Sequence, residues 1–148
     1  MTFFDGRYDR FQAYELILLA VLVWREARNQ SALGKLAVAW SVRNRVFKSG
    51  KTWYGDDWEE VVLKRWQYTS FEKSDPNATM LPGDPMKDIA WADSLQVAET
   101  AYFGLDTDPT GGATHYYNPA VVAKPAWVSA PDTMFKVAIG DHRFYIAS

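Results

Sequence analysis

The sequence predicts an α+β domain, mostly helical, with a small β element at its C-terminal end. Three observations carry this. Residues 11–47 hold two helix-length apolar segments separated by Asn29, Gln30 and Ser31. A third helix-length segment stops at Gly104. Residues 135–146 hold two short strand-like runs around Gly140-Asp141, a hairpin signature. At 148 residues, 48% of them apolar, the chain suits one domain spanning 1–148 with a real core.

Each element has its own signals. Phe11 to Ala27 is apolar enough to be a buried helix, and is expected to be central to the core. Ser31 can cap a second helix over Leu33 to Phe47, with Leu33, Leu36, Ala37, Trp40 and Asn44 on one stripe and Ser49-Gly50-Lys51 ending it. The small Ala37, Val38, Ala39 and Ser41 allow close helix packing. A short helix is predicted over Asp57 to Arg65, capped by Asp56 or Asp57. Residues 72–87, with Asp75-Pro76, Pro82-Gly83 and Asp84-Pro85, read as an irregular loop. The next helix is expected from Pro85 to Phe103, with Trp91, Leu95, Ala98 and Tyr102 on one face and Gly104 at its end. Asp108 to Gly112 forms a turn, and His115 to Asn118 a short strand. Phe135–Ile139 and His142–Ile146 pair through a type II′ turn.

Composition removes several partner classes. The net charge is −2 and no basic run is present, which disfavours nucleic acid. There is no Cys, hence neither disulfide nor thiolate chemistry. The apolar run Leu16–Trp24 is too short to span a bilayer, so no membrane insertion is expected. Its flanks are those of a buried helix and not of a signal peptide. The protein is accordingly expected to be made in the cytoplasm and to act as a monomer. Aromatics are abundant, at 16%, which suits either a dense core or a groove that stacks on sugars.

Four segments can carry chemistry. Glu26 follows nine apolar residues and Arg25. A carboxylic acid in an apolar wall resists ionisation, and glycoside cleavage needs a proton donor of that kind. The alternative is a Glu paired with Arg25 or Arg28. Glu15 returns to nearly the same helix face, but about 16 Å away, too far to be a catalytic partner. Gln67, Tyr68, Thr69 and Ser70 combine amides and hydroxyls with aromatics, as a sugar site or as a polar loop. His115, Tyr116, Tyr117 and Asn118 follow Gly111-Gly112 on a strand, and Trp127 offers a stacking platform. On that strand His115 and Tyr117 share one face, and Tyr116 and Asn118 the other. A strand that only closes the core fits equally. Last, His142 and His115 are the only histidines. A carboxylate from Asp108, Asp132 or Asp141 could complete a zinc site, but no compact ligand spacing supports one, so neither metal nor cofactor is expected.

In order along the chain, Glu26-Ala27-Arg28, Ala37-Val38-Ala39, Asn44-Arg45-Val46 and Gln67-Tyr68-Thr69 are followed by Asp108-Pro109-Thr110-Gly111 and Tyr117-Asn118-Pro119. Trp127 and Ile139-Gly140-Asp141-His142-Arg143-Phe144 complete the series. The set resembles the SleB-like cell-wall hydrolase family, which includes spore cortex-lytic enzymes. The resemblance implies a lysozyme-like or lytic-transglycosylase-like domain acting on bacterial peptidoglycan at the β-1,4 bond after N-acetylmuramic acid. It assigns the catalytic acid to Glu26. Where the family motif continues Gly-Glu, this chain has Asn29-Gln30, leaving Glu26 as the only acid of the motif. One acid favours the transglycosylase route over simple hydrolysis. A bare catalytic domain is more like a phage lysis enzyme acting after release than like the spore enzymes. Two rival readings are a non-catalytic peptidoglycan-binding or virion module, and a zinc amidase cutting the stem peptide.

Overall fold

The computed structural model describes residues 9–48, 54–64 and 81–148. The architecture is α+β, as the sequence predicts. Four helices come first: α1 (Arg10–Ala27), α2 (Ala32–Val46), α3 (Trp58–Leu63) and α4 (Ile89–Phe103). Strand β1 (His115–Tyr117), a 3-10 helix (Ala126–Ser129), β2 (Met134–Ile139) and β3 (His142–Ile146) follow. The sheet is antiparallel in the order β1-β3-β2.

Helix starts are set by side-chain caps. Asp9 and Gln12 form a reciprocal capping box at the head of α1, with the Gln12 N–H donating to Asp9 at 2.8 Å. Ser31 caps α2 by accepting from the Gly34 N–H, and Asp57 caps α3. The head of α4 differs from the prediction. Asp84 to Lys87 closes a separate turn, and α4 begins at Ile89 under its own cap, Asp88, which accepts from the Trp91 N–H at 2.8 Å. Both aspartates can cap, and the one nearer the apolar face starts the helix. Gly104 ends α4 in the left-handed conformation, where Arg43 donates to the Ala101 and Tyr102 carbonyls.

As expected, α1 is central to the core, with Leu16, Leu19, Ala20, Leu22 and Val23 fully buried; α2 shares that place, packing on α1, α3, α4, β1 and β2. Small residues explain it. Ala37, Ala39 and Ser41 of α2, Ala20 and Ala27 of α1, and Ser94, Ala98 and Ala101 of α4 are buried, so the helix axes can come close. Leu33, placed on the apolar stripe by its spacing, is instead 53% exposed in the first turn of α2. Two cations are buried in its place: Arg45 donates to the Thr114 carbonyl and Lys35 to the Gln30 carbonyl. No helix among the described residues is long and apolar enough to cross a membrane.

The hairpin lies along α2. Its open end meets the C-terminal end of α2, where Lys48 donates to the Ala147 carbonyl and Asn44 to the Ala113 carbonyl. Its turn meets the junction between α1 and α2, where Gln30 binds Asp141. Gly140 occupies the turn at a φ of 57°, the positive value that primed hairpin turns require.

Candidate active site

Glu26 sits in the last turn of α1, half-buried, between the buried Leu22, Val23, Trp24 and Ala27. Arg28 donates back to the Arg25 carbonyl at 3.2 Å and lies over the Trp24 ring at 4.7 Å. At the other end of α1, Glu15 accepts a 2.6 Å hydrogen bond from the Tyr102 hydroxyl near the end of α4. Glu26 lies eleven residues after Glu15, about three helical turns on, and so returns to nearly the same face of α1.

The sheet divides the other candidates between two faces. Tyr116 pairs with Phe144, and its ring meets His142 at 5.1 Å and Phe144 at 5.6 Å. Phe144 belongs to the main core, so this face looks towards the helices. His115 pairs with Tyr145 and Tyr117 with Arg143, on the opposite face. There Trp127 covers His115 at 5.0 Å, Tyr145 at 5.3 Å and Tyr117 at 6.1 Å, and Phe135 joins at 5.3 Å from Tyr145. His115, Tyr117 and Trp127 thus come together in an aromatic layer on this face, which Tyr54, just before α3, joins at 6.3 Å from His115. Asn118 follows β1, and its side-chain oxygen accepts from the Ala120 N–H at 3.0 Å. Gln67, Tyr68, Thr69 and Ser70 lie outside the described residues, as does Ser49-Gly50-Lys51.

Burial is the leading cause that holds both histidines neutral. Burial, then the charges of Arg45 and Lys48, push His115 down to about 3. His115 Nδ1 lies 2.9 Å from the Thr114 hydroxyl. Burial also lowers His142, against a raising effect from Asp141. They stand on opposite faces of the sheet, so they cannot share one metal ion. The aspartates weighed as a third ligand are engaged in the fold. Asp108 accepts from the Thr110 N–H and hydroxyl, the Gly112 N–H and the Asn44 amide, all at 2.7–2.8 Å. Asp141 accepts from Gln30, and Asp132 from the Ser148 hydroxyl. No group of three His, Cys, Asp or Glu among the described residues is arranged to hold a metal.

A half-buried acid at the end of a buried helix, with a small sheet packed beside it, defines the class of fold. Two solved catalytic domains share the overall fold. The catalytic domain of the germination-specific lytic transglycosylase SleB from Bacillus anthracis superposes with a TM-score of 0.68 at 23% identity, over 95% of this chain and 98% of that one. The catalytic domain of the Bacillus cereus SleB protein gives 0.68 at 24% identity, over 97% and 96%. No curated protein sequence matches the chain. The profile of the Cell Wall Hydrolase family matches residues 29–145, beginning just beyond Glu26. The chain belongs to that family, and is a cell-wall-degrading enzyme of SleB-like fold.

Proposed function

We propose that the enzyme cleaves the peptidoglycan glycan strand at the β-1,4 bond after N-acetylmuramic acid, with Glu26 as acid and then base. The observation that carries this is the setting of Glu26: a half-buried carboxyl in a helix turn whose neighbours Val23, Trp24 and Ala27 are buried. The family and the SleB-like fold support the same substrate class.

The step follows the lytic transglycosylase route. The Glu26 carboxyl gives its proton to the glycosidic oxygen as the bond from that oxygen to C1 of the muramyl sugar breaks. The carboxylate then takes the proton of the same sugar's 6-hydroxyl, whose oxygen closes on C1. Glu26 ends protonated, no water is consumed, and the product is a 1,6-anhydro muramyl end. A second carboxylate is not needed, which suits Gln30 in place of the family motif's second Glu.

Mass spectrometry of the soluble products from purified sacculi tests the proposal. Anhydro-muropeptides are expected, with full activity after EDTA treatment and dialysis. Reducing ends of ordinary mass would replace the transglycosylase route by hydrolysis. Released stem peptides, with activity restored by zinc, would overturn both the bond and the mechanism.

A further inference from the structure

Gln30 is a polar side chain only 8% exposed, and both ends of its amide are used. Its Oε1 accepts from the Asp141 backbone N–H at 3.1 Å, and its Nε2 donates to Asp141 Oδ2 at 2.8 Å. The orientation of the amide is fixed by chemistry, since a backbone N–H can only donate and a carboxylate only accepts. A third bond, from Nε2 to Asn29, holds the side chain from behind. Two glycines make the seat. A Cβ on Gly140 would meet Gln30 Oε1 at 2.3 Å, and one on Gly34 would meet Gln30 Cβ at 3.0 Å. Lys35, itself buried, donates to the Gln30 carbonyl and fixes the backbone of the same residue.

The place of this contact matters more than its strength. The sheet is fastened to the helical layer by Asn44, Arg45 and Lys48 at the open end of the hairpin. Gln30 fastens the hairpin turn, four residues beyond Glu26 and at the same end of α1. His142, on the face that packs against Tyr116, follows Asp141 directly.

We infer that Gln30 and Asp141 are a positioning pair, which sets the distance between the helix end carrying Glu26 and the hairpin turn facing it. The inference rests on the proposed glycan-cleaving role of Glu26. It also gives the departure from the family's Glu a physical content. A carboxylate at position 30 would face the Asp141 carboxylate across a hydrogen-bond distance, and the like charges would part the turn from the helix. The amide closes the same gap.

The charge logic makes the pair testable by exchange. Gln30→Glu is expected to lower kcat on soluble peptidoglycan fragments by about tenfold or more, with KM within about twofold, because misplacing the reacting groups by an ångström is enough. Asp141→Asn is expected to stay within about threefold, since its side-chain oxygen still accepts from Gln30. The double variant Gln30→Glu/Asp141→Asn is expected to return within about threefold of wild type, with the new amide donating to the new carboxylate. Each assay is run well below the variant's own Tm, with circular dichroism to confirm the fold. A kcat of Gln30→Glu within twofold of wild type, or a double variant no better than the single, overturns the positioning role. Wild-type enzyme that releases no glycan fragments overturns the glycan-cleaving reading itself, and this inference with it. The outcomes therefore separate the two.

Discussion

At the scale of the residue, chemistry and packing make separate demands on neighbouring side chains. Glu26 shares its helix turn with Trp24 and Ala27, which are buried, yet remains half-exposed itself. Replacing it by Gln keeps the shape and removes the proton. Glu26→Gln is expected to fold with a Tm close to wild type and to lose about 100-fold or more of its lytic activity, as for loss of a general acid. Turbidity loss of sacculus suspensions measures it, and a loss of only a few-fold would remove Glu26 from the acid role. Trp127 makes the opposite case. Expected from the sequence as a sugar platform, its half-buried ring also has a structural part, covering His115, Tyr117 and Tyr145. The Thr133 hydroxyl also binds its carbonyl. Trp127→Ala is expected to cost about 3 kcal/mol in urea unfolding, the low end for Trp to Ala because the ring is not fully buried. A change under about 1 kcal/mol would show that the layer does not depend on its cover.

At the scale of the element, most of the scaffold was legible in the sequence, and the residues show why. Apolar runs place α1 and α2 within one residue at each end, since Ser31 stops one helix pattern and caps the next. The hairpin was legible because Gly140-Asp141 separates two β-rich runs, and β3 has the bounds expected of it. The start of α4 was not, because Asp84 and Asp88 offer the same capping chemistry four residues apart, and only packing chooses between them. Nor was the placing of His115 and Tyr117 on the sheet face opposite Phe144, which depends on which face Phe144 takes into the core. The latch between α2 and the turn before β1 was visible only as two unconnected motifs, Asn44-Arg45-Val46 and Asp108-Pro109-Thr110-Gly111. In the fold they meet: Asp108 receives the Asn44 amide and three donors of its own turn. Asp108→Ala strands those donors and is expected to destabilise by about 2–4 kcal/mol. Asn44→Ala, which leaves the turn its own bonds, is expected to cost less. Equal losses on the two would show that the turn has no stability apart from α2.

At the scale of the whole molecule, the two buried histidines link folding to pH. Burial, with Arg45 and Lys48, holds His115 down to about 3 against an ordinary value of 6.5. His142 is lowered as well, by burial opposed by Asp141. The sign follows from proton counting. Below 6.5 the unfolded chain takes up protons on both histidines, while folded His115 stays neutral until about 3. The unfolded state therefore binds more protons in this window, and stability rises with pH across it. The contribution is present in full above 6.5 and is lost as pH falls towards 3. For His115 alone, a shift of this size amounts to roughly 3 to 5 kcal/mol, at about 1.4 kcal/mol per unit. That is a large part of the 5–15 kcal/mol or so that holds a domain of this kind together. The interval between about pH 4.5 and 6.5 is diagnostic, because ordinary carboxylates are still largely ionised there. Urea unfolding at pH 7.5, 6.5, 5.5 and 4.5 is expected to show a plateau above 6.5 and then a fall approaching 1.4 kcal/mol per unit for each histidine that stays neutral. His115→Asn is chosen because a side-chain amide can still meet the Thr114 hydroxyl that lies against Nδ1. It should lose about one histidine's share of that slope while unfolding near the wild-type midpoint at pH 7.5. A wild-type curve flat from pH 7.5 to 4.5 would mean that His115 is protonated inside the fold. An unchanged slope in His115→Asn would place the whole acid sensitivity on His142 and the hairpin turn.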